Sequence, residues 1–364
     1  MVDLDALSAR VVGARAAPLA AVGFSVFAAG VWTTHVGGSA RIVFDLASVT
    51  KPMTAVAFAR SRLDRTRTLA HFVPELAGTP GGEATIELLL SHRAGLQPHV
   101  KLFDEDAPPE GRASRFASHR DRMEALIEVA KATRDDLAGD APHPPVYSDV
   151  GYLLVGEAMA RALGFEAAGD AIRALAIQPL ALRKENDEWL GTPAELDRAA
   201  LEVAPTEVVP WRGGAVVGEV HDENAWVYGE KRGCGHAGVF GTVSGVLAFG
   251  RAVYDALTRR EGPYADADLA WTRTPRPGGT LRAGWDGKSP EGSSAGARAS
   301  DRTFGHLGFT GTSLWIDEGR GAVVSLLTNR VYPTRENTKI REWRPIVHDE
   351  LFSLADAIAA KLRP

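Results

Sequence analysis

The sequence predicts a mixed α+β protein, and three stretches predict it. Glycine-broken β-prone runs crowd residues 20–44, residues 64–210 are helical and loop sequence poor in strand signals, and two further β-prone runs precede a terminal helix. The 364 residues, 45% of them hydrophobic, are enough for one large domain or for two lobes sharing a core.

Taken in order, Leu4 to Ala17 reads as an opening helix ended by Pro18. Ala20 to Ala29, Val31 to Val36 and Arg41 to Phe44 then read as strands of an antiparallel meander. Ser48 to Leu63 carries small and apolar residues at helical spacing, with Pro52 early enough to sit in the first turn. A charged helix is expected around Asp121 to Lys131 and a buried one over Val150 to Leu163. Beyond Ala237 come a helix over Val243 to Leu257 and a Gly/Ser/Arg-rich loop from Pro275 to Arg302. Thr312 to Asp317 and Gly321 to Asn329 form a hairpin, and Trp343 to Leu362 closes the chain as a helix.

Three segments could carry chemistry. Ser48-Val-Thr-Lys51 is a Ser-x-x-Lys at a strand-to-helix junction, where one turn of helix sets Lys51 beside Ser48. The helix N-terminus leaves backbone N–H groups free, so the Ser48 amide can hold half of an oxyanion while its hydroxyl attacks a carbonyl. Alone, the same pattern also fits a capping serine and a solvated lysine. Tyr147 follows Pro144-Pro145 and precedes an apolar helix, a corner that projects a side chain into a cleft. A phenol of pKa about 10 is a poor base, but a lysine ammonium beside it lowers that value and lets it accept the serine proton. Phe304-Gly-His306-Leu-Gly308-Phe309-Thr-Gly311 places glycines at a strand edge, where a substrate backbone can approach closely.

In this order the three segments resemble the class C β-lactamase and serine penicillin-binding protein superfamily. The likeness spans nearly the whole chain. Leu88 to Leu96 is similar to the family's segment before its helical lobe, and Val220 to Ala225, Gly235 to Gly238 and Leu327 to Arg330 resemble a subgroup of β-lactamase-related serine hydrolases. The resemblance implies a β-lactamase/transpeptidase-like fold, an antiparallel sheet flanked by helices. Residues 1–63 and 211–364 would form the α/β sheet lobe, and 64–210 a mainly helical inserted lobe, with the active site between them. It also implies that the Phe309 amide is the second oxyanion donor and that Gly308 lets the substrate approach. His221, Asp222 and His236 would lie near the cleft rim in a supporting or structural role.

Two residues depart from the family pattern. Asp149 stands where the lactamases carry the asparagine of Tyr-x-Asn; ionised, it only accepts hydrogen bonds and would pair with Lys51, keeping it charged and leaving Tyr147 the better base. His306 stands where they carry the lysine of Lys-Thr-Gly; a mostly neutral imidazole is a weaker anchor for a substrate carboxylate. Weak β-lactamase activity is therefore expected.

Other signals fall away. Gly292-Ser-Ser294-Ala-Gly296 matches the nucleophile elbow of α/β hydrolases but lacks a strand before it and a helix after it. Cys234 with His236 two residues on is a poor nucleophile pair, and a lone cysteine forms no internal disulfide. Lysine and arginine total 41 against 46 acids, a net charge of −5 that gives no basic field for nucleic acid. No metal-site spacing or nucleotide loop appears, so neither metal nor other cofactor is expected. No apolar run reaches membrane-spanning length. Met1 to Arg15 lacks the apolar core of a signal peptide, which points to a cytoplasmic enzyme unless a leader has been removed.

The expectation is thus a cofactor-free serine hydrolase that forms an acyl-enzyme on Ser48 and cleaves a small ester or amide. A carboxypeptidase or aminopeptidase for D-amino-acid peptides, with Asp149 receiving a substrate amine, and an acyltransferase are the alternatives among enzymes. A penicillin-binding-like sensor without turnover is the alternative from another class.

Overall fold

A computed structural model describes residues 3–106 and 119–362. The opening helix, α1, runs over Leu4–Gly13; Asp3 caps it by accepting from the Asp5 amide. Strands β1 (Ala20–Ala28) and β2 (Val31–Gly38) follow. The third predicted strand is only β3, Phe44–Asp45; residues 41–43 are turn and bridge. Short strands β4 (Leu190–Gly191), β5 (Val208–Val209), β6 (Gly214–Ala215) and β7 (Phe240–Gly241) come next. The last four are β8 (Asp286–Gly287), β9 (Thr303–Leu307), β10 (Ser313–Asp317) and β11 (Ala322–Thr328).

The main sheet has six strands in the order β2-β1-β11-β10-β9-β8, every neighbouring pair antiparallel. Its ends in sequence meet in space, because β1 pairs β11 with Ala20 opposite Thr328. The expected hairpin is present, with Ser313 opposite Leu326. Side chains alternate across a strand, and both faces of β1 are covered. Ala20, Val22, Phe24 and Val26 pack with Leu7 and Val11 of α1 and with Val347, Leu351 and Phe352 of the C-terminal helix, Ile340–Leu362. The opposite face of the sheet, Leu314, Ile316 and Val323, packs with Val246, Leu247 and Phe249 of the helix Val243–Thr258. A sheet buried on two faces explains why β1 reads as a nearly continuous apolar run.

The second helix, α2, spans Thr50–Ser61 after a single 3-10 turn, Ala47–Val49, and nine of its residues from Thr50 to Phe58 are buried. It packs on the helix Asp149–Leu163, which Ser148 caps by accepting from the Gly151 amide. The charged segment folds as the helix His119–Lys131. A small sheet, β3-β7-β4, joins Phe44 to Gly241 and Leu190 to Gly241, tying the start of α2 to the middle of the chain. Residues 292–296 form a turn without strand or helix, as their composition implies. Among the described residues no helix is long and apolar enough to cross a membrane.

Candidate active site

The approach to Ser48 is built under strain and anchored by Asp45. Ala47, immediately before it, has φ 47°, a left-handed conformation costly for any residue with a side chain. Asp45 sustains the bend: its Oδ1 accepts from the Ala47 amide at 2.8 Å and its Oδ2 from the His221 amide at 2.7 Å. Ser48 therefore sits in the 3-10 turn that leads into α2, at the cleft that Ala47 and Ser48 both line.

One turn on, Lys51 is fully buried and has an acceptor for each of its three ammonium protons. Its Nζ donates to Ser48 Oγ at 2.9 Å, to Asp149 Oδ1 at 2.6 Å and to the His236 carbonyl at 3.2 Å. Burial lowers its pKa, but the Asp149 carboxylate and Tyr147 outweigh that and hold it above the ordinary lysine value. The expected Lys51–Asp149 pairing is thus present. Asp149 is accordingly engaged before any substrate arrives, which leaves it poorly placed to receive a substrate amine.

Tyr147 lies against this pair, its ring centroid 4.8 Å from Lys51 Nζ and 5.8 Å from the His306 ring. Its protonation corrects the sequence expectation. Removal from water pushes the phenol up to about 12, and the neighbouring ammonium only partly offsets this. Tyr147 is a neutral hydroxyl in the resting site, within hydrogen-bonding reach of both Ser48 and Lys51.

What fixes Tyr147 was not singled out from the sequence. His92 stacks on its ring at 4.9 Å; His92 Nδ1 accepts from the Ser148 amide and the His92 carbonyl from the Val146 amide. His92 has φ 61° and burial drives its imidazole well below the ordinary histidine value, so it stays a neutral acceptor. The one available signal was its place inside the Leu88 to Leu96 segment.

The far wall is the end of β9. Because β8 meets β9 at Phe304 and Gly305 and goes no further, it leaves the strand edge open from His306 onward. The turn after it is pinned to the nucleophile segment: Thr310 Oγ1 donates to the Asp45 carbonyl at 2.7 Å and Thr312 Oγ1 to the Leu46 carbonyl at 2.9 Å. Gly308 lines the cleft, yet a side chain there would meet protein, not substrate. An ideal Cβ would fall 2.0 Å from Thr312 Oγ1 and 2.5 Å from the Leu46 carbonyl. The glycine lets the two segments close on each other. Arg344 Nη2 donates to the Gly308 carbonyl at 2.6 Å and Arg330 Nε to the Phe309 carbonyl at 2.8 Å, so two guanidiniums orient the peptide units around the Phe309 amide. Arg344 carried no sequence signal, since its partners are backbone atoms far away in the chain.

His306 is buried, and its Nδ1 lies 2.7 Å from the Leu307 carbonyl. Burial and the Lys51 charge push it down to about 3, so it is neutral at any ordinary pH. His221, Asp222 and His236 lie close by but in two separate pairs. His221 Nε2 is 2.9 Å from Glu207 Oε2, and its ring stacks on Phe309. His236 Nε2 is 3.0 Å from Asp222 Oδ1, which also accepts from the Ala225 amide at the start of a helix. Cys234 is buried and its thiol is pushed far up by burial, consistent with a packing role.

The cleft enclosed by these groups has a volume of about 540 Å3 and is lined by Ser48, Tyr147, Asp149, Asp222, His306 and Phe309 among others. That is room for a small-molecule substrate. A buried lysine on a serine, a tyrosine beside both and an open strand edge are the groups that serine-hydrolase chemistry needs.

The comparisons with known proteins place the chain in that class. The family model described as Beta-lactamase matches residues 18–347, and the chain belongs to this β-lactamase-fold family of serine hydrolases. A curated relative, the N-acetylmuramyl-L-alanine amidase of Bacillus subtilis (strain 168), is 28% identical over 334 residues, 83% of this chain and 72% of that one. A class C β-lactamase from Rhodobacter sphaeroides shares the fold at a TM-score of 0.65 and 18% identity, over 95% of this chain and 98% of the other. EstCE1, a hydrolase with promiscuous acyltransferase activity, shares the fold at a TM-score of 0.65 and 17% identity, over 96% of this chain and 97% of the other.

Proposed function

We propose that the protein cleaves small esters or amides through an acyl-enzyme on Ser48. The observation that carries this is the buried Lys51 ammonium, 2.9 Å from Ser48 Oγ and 2.6 Å from Asp149 Oδ1. A charge so deep in the protein, aimed at one hydroxyl, stabilises that hydroxyl's oxygen as it gains negative charge during attack. The Ser48 and Phe309 amides would hold the carbonyl oxygen, and water would release the acyl group. Neutral His306 gives this strand edge no cation for a substrate carboxylate, so β-lactams should be poor substrates.

The hydrolase names among its relatives support the class but differ in substrate, and an alcohol or amine replacing water would make the same site an acyltransferase. Intact-mass analysis after a fluorophosphonate probe tests the proposal. Wild type should gain one adduct and turn over p-nitrophenyl esters. Ser48→Ala should gain none and lose at least about 10³-fold in turnover. An unlabelled, inactive wild type would instead indicate a binding protein. Cephalosporin hydrolysis near the rate of the best ester would overturn the substrate assignment.

A further inference from the structure

We propose that Asp149 is the terminal acceptor of the Ser48 proton, reached through Lys51, whose Nζ bridges Ser48 Oγ at 2.9 Å and Asp149 Oδ1 at 2.6 Å. The inference rests on the acyl-enzyme reading above and deepens it by assigning the base.

The resting arrangement leaves few candidates. Lys51 donates to Ser48, Asp149 and the His236 carbonyl, so it has no lone pair with which to accept. Tyr147 is a neutral phenol, and removing its proton is disfavoured by its burial. His306 is in reach of Tyr147, but burial and the Lys51 charge push its imidazole down to about 3, too weak a base to hold the proton. The group touching the relay that can take a proton without first losing one is the Asp149 carboxylate. Its contact with Lys51 is short, and the pair is net neutral before and after transfer, so moving a proton along it avoids creating a new buried charge.

The steps balance. Lys51 passes a proton to Asp149 Oδ1, and a one-third turn about its Cε–Nζ bond brings the freed lone pair to Ser48. As Ser48 Oγ bonds to the substrate carbonyl carbon, its proton moves to Lys51 Nζ and the carbonyl π pair becomes the oxyanion. On collapse the bond to the leaving group breaks, and Lys51 donates a proton to that group while Asp149 returns its own to Lys51. The carboxylate and ammonium are then restored for attack by water. An asparagine at 149 could hold Lys51 in place but could not take the proton.

The groups facing Lys51 from the surrounding elements are Tyr147, Tyr152, His92, His306, Asp222 and the His236 carbonyl. Both tyrosines are held above, and His92, His306 and Asp222 below, the window from pH 6 to 9. The experiment is the rate of fluorophosphonate labelling of Ser48 across that window, for wild type and Asp149→Asn. If wild type takes no label, the Ser48 reading fails. If it does, Asp149→Asn should label about 10²-fold more slowly at pH 6, with the deficit shrinking as pH rises, because without the Asp149 carboxylate burial lowers Lys51 and lets it shed its proton unaided. Rates within twofold of wild type at every pH, or a deficit that does not change with pH, would overturn the proposal. Should that variant not fold, Asp149→Ala provides the second arm. Asp149 lines the cleft, so added formate can enter in its place; recovery of labelling with formate supports the relay, and no recovery overturns it.

Discussion

The two walls of the cleft handle charge in opposite ways. On the Lys51 side the polar side chains are paired with carboxylates: Lys51 Nζ with Asp149 and His236 Nε2 with Asp222. Across the cleft, Arg330 and Arg344 donate only to carbonyls, and among the described residues neither has a carboxylate within ion-pair distance. Burial, with Arg330 and Arg341 close by, lowers Arg344 to about 10. The difference separates two tasks. The paired wall fixes proton positions, which chemistry on a serine needs, whereas the arginine wall spends its donors on shaping the backbone of the strand edge.

The sharpest way to break the comparison is to remove the central charge of the paired wall. Lys51→Met keeps the length and apolar stem but removes the ammonium donor from Ser48 and the counter-charge from Asp149. Asp149 is partly solvated, with its side chain 24% exposed, so the protein should still fold. Fluorophosphonate labelling should fall by about 10³-fold while the circular dichroism spectrum is retained. Labelling within tenfold of wild type would mean that Lys51 is structural and that the paired wall does not activate Ser48.

The two walls were unequally visible in the sequence. Ser48 and Lys51 were legible because their spacing is a local property of a helix turn, and Tyr147 because prolines and a helix start mark its corner. Arg330 and Arg344 as backbone clamps were not, since side-chain bonds to distant carbonyls leave no periodicity. The protonation of Tyr147 was misjudged for a related reason: sequence shows which charge is near, but not how much water has been removed. The sheet was legible where β-prone apolar runs were long, as in β1 and β11. It was overextended at Arg41 to Phe44, where β-prone residues supply only a two-residue strand because their partner, Phe240–Gly241, is equally short.

A change of intermediate size should come from restoring a cation to the strand edge. His306 is neutral down to about pH 3, so between pH 5 and 8 its ionisation contributes no limb to the activity profile. His306→Lys adds an ammonium near the Lys51 charge that already depresses His306. Part of its gain on a substrate carboxylate is lost to burial and like-charge repulsion. Cephalosporin hydrolysis should rise by about tenfold, the worth of one charge-assisted hydrogen bond less that cost, with ester turnover changed less. An unchanged cephalosporin rate in a folded variant would show that the open strand edge does not receive the substrate carboxylate.

The smallest effect is expected where the arginine wall meets substrate through a side chain alone. Phe309 is 49% exposed, its ring stacked on His221 at 5.7 Å and covered by the Arg330 guanidinium at 4.4 Å. Its backbone amide is the proposed oxyanion donor, and the clamps on that peptide, Arg330 Nε to the Phe309 carbonyl and Arg344 to the Gly308 carbonyl, involve no side-chain atom of Phe309. Phe309→Ala should therefore leave kcat within about twofold while raising KM a few-fold, the worth of roughly 1 kcal/mol of aromatic contact. If kcat instead falls by more than tenfold, the phenyl ring holds the amide in place, through His221 and Arg330, and the division between a wall for chemistry and a wall for shape fails at its narrowest point.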